Sequence, residues 1–394
     1  MINLPIGITT YFIIIILFIF IKSWKYFVIN FIIFFFIFYF ASFFINPPSD
    51  HNAYMYYLKN YTNIYEALRD NRETFTPASS FPFLFYKLTN SYSLIIYISN
   101  AIVFSALLNM FNALFKNETR LNNNKFINYF FPIVLISLSP ILIQTGVSLN
   151  KDFYAAFFIC FITLLNIKIY YLLKNIYALK LLDIALITFY FILTLISLSY
   201  LQKIRWASYN ILLCSILIFY ASKIIYFISN FKINEYLSTI FSTFFLIIYA
   251  LTQKWDNLTI AYYENLSNSM ITEIHNSIKP DLLNSLYYLF KGYFLSIFGI
   301  YTSQFTWSNI SILTSFIAFF DNLLFIFFMI IFYLNRNKKL FLFIFPFILL
   351  HIGIQIWGTP NYGNLFRQRI IDIFLILILI ISPNSQKEMN HGKE

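Results

Sequence analysis

Charge is scarce in this sequence. Only 11% of its 394 residues are Asp, Glu, Lys or Arg, against about 25% in an ordinary soluble domain. With 60% hydrophobic and 22% aromatic residues, the chain cannot cover its own surface with polar atoms. A soluble globular fold is therefore excluded, and most of the outside must face lipid. Cysteine is nearly absent, at 2 residues, which excludes a disulfide framework. Cys160 and Cys214 lie inside apolar runs and read as core filling. Glycine numbers only 8, and apolar residues come in blocks rather than heptads, so disorder and a coiled coil fail as well. The formal charge of +11 is not gathered into a basic patch interleaved with aromatics, so nucleic acid is not an expected partner.

What the sequence has in quantity is long apolar runs. A spanning helix needs roughly 20 predominantly apolar residues. That template fits residues 4–21, 26–45, 92–115, 126–143, 153–167, 181–200, 206–221, 236–251, 310–334, 340–357 and 370–381. The expectation is an all-α polytopic integral membrane protein with about 11 transmembrane helices, forming one domain over 1–394. The first run lacks a basic leader and a small-residue cleavage site, so it reads as a retained helix.

Orientation follows from the basic residues. Strict alternation puts Lys22/Lys25, Lys116/Arg120/Lys125, Lys168/Lys174/Lys180, Lys223/Lys232, Arg336/Lys338/Lys339 and Lys387/Lys393 on one side, as the positive-inside rule requires of a cytoplasmic face. The N-terminus is then periplasmic and the C-terminus cytoplasmic. Two long periplasmic loops remain, about 46–91 and 252–309, and loops of that length are uncommon unless functional. In the first, Tyr54, Tyr57, Leu58, Tyr61, Ile64, Tyr65 and Leu68 recur at helical spacing, which predicts an amphipathic helix lying on the membrane. In the second, residues 282–300 are apolar but interrupted by Lys291, Gly292 and Gly299, and read as a re-entrant or interfacial element.

Ionisable groups at the edge of lipid are expensive, so each is a functional candidate. Asp50 follows Pro47-Pro48 at the outer end of the second run, where it serves either as a helix cap or as a general base. Lys151 and Asp152 open a helix; capping and snorkelling compete there with an anion site at a helix N-terminus. Lys203 and Arg205 break the positive-inside pattern in a very short outer turn, and the planar fork of Arg205 suits phosphate. Arg367 and Arg369 open the last run, with Asp372 one turn beyond Arg369 as its nearest ion-pair partner in sequence. His275, Glu264 and Glu273 are acid/base candidates in the second long loop, and His351 reads as a satisfied interior histidine. No metal-ligand spacing, phosphate-cradling Gly loop, Gly-x-Ser-x-Gly or Cys/His pair appears. No metal and no cofactor are expected.

The Asp50-His-Asn-Ala-Tyr54 stretch, the Asn150-Lys-Asp152 helix start, Arg205 after the sixth run and the Phe366-Arg-Gln-Arg369 opening of the last together resemble the bacterial Wzy-type O-antigen and exopolysaccharide repeat-unit polymerases. The resemblance implies a membrane-embedded, metal-independent glycosyltransferase of lipopolysaccharide or polysaccharide biosynthesis in the inner membrane. It would move a growing glycan from an undecaprenyl-pyrophosphate donor to a lipid-linked acceptor on the periplasmic face. Asp50 is then the first choice for the base and His275 the second. Arg205, Arg367, Arg369 and Lys151 would hold the pyrophosphate, with Asp152, Lys203 and Asp372 in support. The implied partners are donor, acceptor and bilayer, with a chain-length regulator protein as an open alternative. Two other readings stand beside it: a multi-spanning glycosyltransferase using a polyprenyl-phosphate sugar, and a polysaccharide flippase or transporter.

Overall fold

The computed structural model describes residues 6–45, 50–70, 77–89, 91–115, 131–173, 180–228, 235–252, 312–336, 339–358 and 362–382. Among these residues the backbone is helical with no strand, as it must be where lipid offers backbone N–H and C=O groups no partner. Five described helices are long and apolar enough to cross a membrane: α1 (Ile8–Ala41), α6 (Tyr92–Phe115), α9 (Lys151–Leu173), α10 (Leu181–Ile204) and α11 (Trp206–Ile228). The chain divides into two compact units, one of residues 1–210 with 373–394, the other of residues 211–372.

In the first unit α1 is not a straight rod. Ser23 leaves helical geometry at φ −139° and ψ 33°. Ring contacts run Phe12–Tyr154–Phe153–Phe104–Phe38 in steps of 5.3, 5.8, 4.6 and 5.0 Å, so the end rings lie within about 21 Å. Twenty-six residues of straight helix would separate the two Cα atoms by about 39 Å. The helix therefore bends sharply at Ser23, which falls between the first two predicted runs. Helices α6 and α9 are buried over most of their circumference, whereas both parts of α1 and the N-terminal two thirds of α10 leave Leu17, Phe18, Phe36, Phe40, Phe189 and Phe191 exposed. Apolar side chains exposed in such numbers mark lipid-facing surface.

The segment after α1 forms α2 (Asp50–Lys59), α3 (Ile64–Arg69), α4 (Ser80–Phe83) and α5 (Tyr86–Thr89). The predicted helical periodicity is present, but in two pieces, because Asn63 caps α3 by accepting from the Glu66 N–H. Part of its apolar face packs on protein. Tyr54, Leu58 and Tyr61 are buried, Ser79 Oγ donates to the Tyr54 carbonyl at 3.1 Å, and the Tyr61 ring lies 5.4 Å from Phe83. This cap sits on the start of α1. Thr10 Oγ1 donates to the Leu68 carbonyl at 2.9 Å, Thr9 and Ser80 share a hydrogen bond, and a Cβ on Gly7 would run into the Leu68 carbonyl.

Two further expectations change. The fourth predicted run is broken into α7 (Phe131–Leu138) and α8 (Pro140–Gly146), because Pro140 removes a backbone donor and Ser139 starts a new helix, accepting from the Leu142 N–H. Lys168, expected in a cytoplasmic loop, is buried inside α9. Its ammonium donates to the Leu114 carbonyl at 3.2 Å and lies 5.0 Å from the Phe115 ring centre, serving the orphan carbonyls and negative dipole end of α6.

The second unit holds α11 from Ile211 onward, α12 (Glu235–Thr252), α13 (Ile312–Leu334), α14 (Lys339–Gly358) and the start of α15 (Tyr362–Ile381). Helix α14 touches three neighbours through aromatic pairs, Phe219–Phe343 at 5.2 Å, Tyr236–Phe341 at 6.5 Å and Phe332–Phe341 at 4.6 Å. Lys223 and Glu235 form an ion pair joining α11 to α12. The second long loop, with the element expected at 282–300, lies outside the described residues.

Candidate functional site

One end of the first unit gathers the polar chemistry. Helix α8 stops at Gly146, where a Cβ would collide with the Phe38 ring, and residues 147–150 run on as buried, non-helical backbone. Buried irregular backbone needs partners supplied from elsewhere. Asn100 of α6 provides them on one side: its Nδ2 donates to the carbonyls of Thr145, Gly146 and Ser148 at 3.2, 3.0 and 2.8 Å. His51 of α2 provides the other, accepting the Leu149 N–H on Nδ1 at 3.1 Å. Asn150 then caps α9, its Oδ1 accepting from the Asp152 N–H at 2.9 Å.

Asp152, in the first turn of α9, forms an ion pair with Arg205. Arg205 stands at the break between α10 and α11 with φ −153° and ψ 88°, and its backbone N–H closes α10 on the Leu201 carbonyl. Both partners are largely shielded, with side chains 8% and 16% exposed, so each ion depends on the other for compensation. Lys151 is half-buried at the first position of α9, and Lys203 is half-buried in the last turn of α10, where a cation opposes the helix dipole favourably. Asp50 is the first residue of α2, directly before His51. Burial lowers the pKa of His51 below its ordinary 6.5, since desolvation penalises the imidazolium.

The remaining predicted residues divide. His275 lies outside the described residues, as does the side chain of Arg367. Arg369 and Asp372 belong to the second unit, and they do not open a helix. Helix α15 begins at Tyr362, which sets Arg369 about two turns inside. Asp372 takes His351 of α14 as its hydrogen-bond partner at 2.8 Å, and the charge of Arg369 also acts on it. Arg369 donates to Asn322 Oδ1 of α13 at 2.6 Å and stacks 4.5 Å from the Phe325 ring centre. Arg369, Asp372, His351 and Asn322 are all buried. His351 is the satisfied interior histidine that the sequence suggested.

Sequence reasoning passed over Asn100 and Asn322, and gave His51 no role of its own within the Asp50–Tyr54 stretch. A signal existed for the two asparagines, since a polar residue inside a spanning run needs an internal partner; for His51 the only cue was its place beside Asp50. Among the described residues no group of three His, Cys, Asp or Glu side chains is placed to hold a metal. No protein-family model, curated protein or solved structure matches this chain.

Proposed function

We propose that the protein is a membrane-embedded polymerase of undecaprenyl-pyrophosphate-linked oligosaccharide repeat units. The reading rests on one observation, the Asp152–Arg205 ion pair at the start of α9, next to the irregular segment 147–150 whose Leu149 N–H is held by His51. Lys151 and Lys203 flank this pair in sequence, and a neighbourhood rich in cations suits a pyrophosphate that must depart as an anion.

In the reaction an acceptor hydroxyl oxygen bonds to C1 of the donor's reducing-end sugar as the bond from C1 to the pyrophosphate oxygen breaks. The hydroxyl proton passes to a base, for which Asp50 is the choice, and undecaprenyl pyrophosphate leaves on the arginine and lysine side. Asp152 orients the Arg205 fork, a role that a lysine at 205 cannot take over because a point charge fixes no plane.

Transport is the second reading. It is favoured by the buried His351–Asp372 and Arg369–Asn322 contacts, since ionisable residues well inside spanning helices frequently line substrate or proton paths. Surface-glycan profiles of a strain lacking the gene separate the two. A core bearing a single repeat supports polymerisation; a core bearing none supports transport or repeat assembly; an unchanged ladder removes both.

A further inference from the structure

The His51–Leu149 contact fixes more than a backbone. A backbone N–H can donate only to a nitrogen that carries a lone pair, so with Leu149 bonded to Nδ1 at 3.1 Å the ring proton resides on Nε2. Protonating Nδ1 would break this bond and strand the N–H of Leu149, a fully buried residue. Desolvation acts in the same direction. The charged groups on the adjoining segment and turn are Lys151, Asp152 and Arg205, and the last two already neutralise each other. The carboxyl of Asp50 belongs to His51's own helix. Among the described residues no partner occupies Nε2.

We propose that His51 is a neutral hydrogen-bond donor, fixed in one tautomer, whose Nε2–H binds an anionic oxygen of the lipid-linked pyrophosphate. A neutral imidazole held this way polarises an oxygen without surrendering its proton, so His51 does not share the acid/base work assigned to Asp50. This role rests on the polymerase reading and adds to it the residue that contacts the leaving group through an uncharged donor.

The test uses full-length protein labelled with ¹⁵N-histidine in lipid bilayers. The sequence has 4 histidines, and the signal lost in His51→Asn is that of His51. The role requires a neutral Nε2–H ring at pH 7 whose protonation midpoint lies below the ordinary value of about 6.5. An Nδ1–H tautomer, or a midpoint at or above the ordinary value, overturns it. Asn at 51 keeps an acceptor near the Nδ1 position but no donor at Nε2, whereas Gln keeps the distal donor and loses the acceptor. Short-chain polyprenyl pyrophosphate should therefore bind the Asn variant about tenfold more weakly than wild type, and the Gln variant with a smaller loss. Should the Gln variant fail to fold, the Asn variant decides alone. Equal binding by Asn variant and wild type removes the donor role and leaves the polymerase reading standing. Failure of wild type to bind the pyrophosphate at all removes both.

Discussion

Asn100 offers the sharpest test of how the candidate site is held. It lies nine residues into α6, its side chain is buried, and its two Nδ2 hydrogens serve three carbonyls of the segment that ends α8. Asn100→Leu keeps the volume and removes both donors. The Thr145 carbonyl keeps the Ser148 N–H at 3.3 Å, so two buried carbonyls lose their partner; at about 1–3 kcal/mol each the variant should lose about 2–6 kcal/mol, roughly two to four orders of magnitude in the folded-to-unfolded ratio. Asn100→Asp separates donor loss from shape. An ionised carboxylate there would set acceptors against carbonyls, so the folded state must keep it protonated, well above the unfolded carboxyl value of about 3.9. A raised folded pKa contributes stability that is present below the unfolded value and lost as pH rises toward the folded one. The Asp variant should thus be far less stable at pH 8 than at pH 5, while the Leu variant should show no added pH dependence relative to wild type. Denaturation midpoints in mild detergent at the two pH values measure this. If both variants stay within about 0.5 kcal/mol of wild type at both pH values, Asn100 does not hold the segment.

Three more outcomes follow from the same region. Breaking the Asp152–Arg205 pair from one side should cost about 3–5 kcal/mol, because it leaves a buried charge uncompensated, whereas Asp152→Leu with Arg205→Leu should be milder than either single change; additive losses in the same denaturation assay would refute the pairing. The lowered pKa of His51 makes the unfolded state bind its proton first, so its contribution falls away as pH drops below about 6.5 toward the folded value. Melting curves from pH 7.5 to 5.5 should therefore flatten in His51→Asn, and an unchanged slope would contradict this. Gly146→Ala should destabilise through its clash with Phe38, and Phe38→Leu should restore much of the loss by opening space; no rescue in thermal melting would mean that the contact is not the cause.

The long helices were readable because lipid imposes its own length on the sequence, and runs such as 92–115 and 181–200 match α6 and α10 closely. The break at Ser139-Pro140 was visible as chemistry but hidden by the hydropathy of its flanks. The last run was cut short for the opposite reason. A hydropathy window stops at charged residues, so it began at Ile370, although Asn322, Phe325 and His351 on two other helices let Arg369 and Asp372 enter the interior. Those partners lie 21 to 47 residues away in sequence, beyond any local pattern. The candidate site was legible as a set of residue types, in Asn150, Lys151, Asp152 and Arg205. Its assembly was not, since it depends on Asn100 reaching 45 residues ahead and His51 reaching 98. The amphipathic reading of residues 54–68 found the helical periodicity but not its destination, because a tyrosine-rich face packs equally well on lipid headgroups and on protein.

Bond formation on a lipid carrier separates a polymerase from a transporter, and reconstitution detects it. Purified protein in liposomes should receive one synthetic undecaprenyl-pyrophosphate-linked oligosaccharide and no other substrate. Polymerase activity predicts a ladder of products spaced by one repeat, with one undecaprenyl pyrophosphate released per bond formed, and loss of the ladder in Asp50→Asn and Arg205→Lys proteins that still insert. Movement of intact single repeats across the bilayer with no ladder would contradict it.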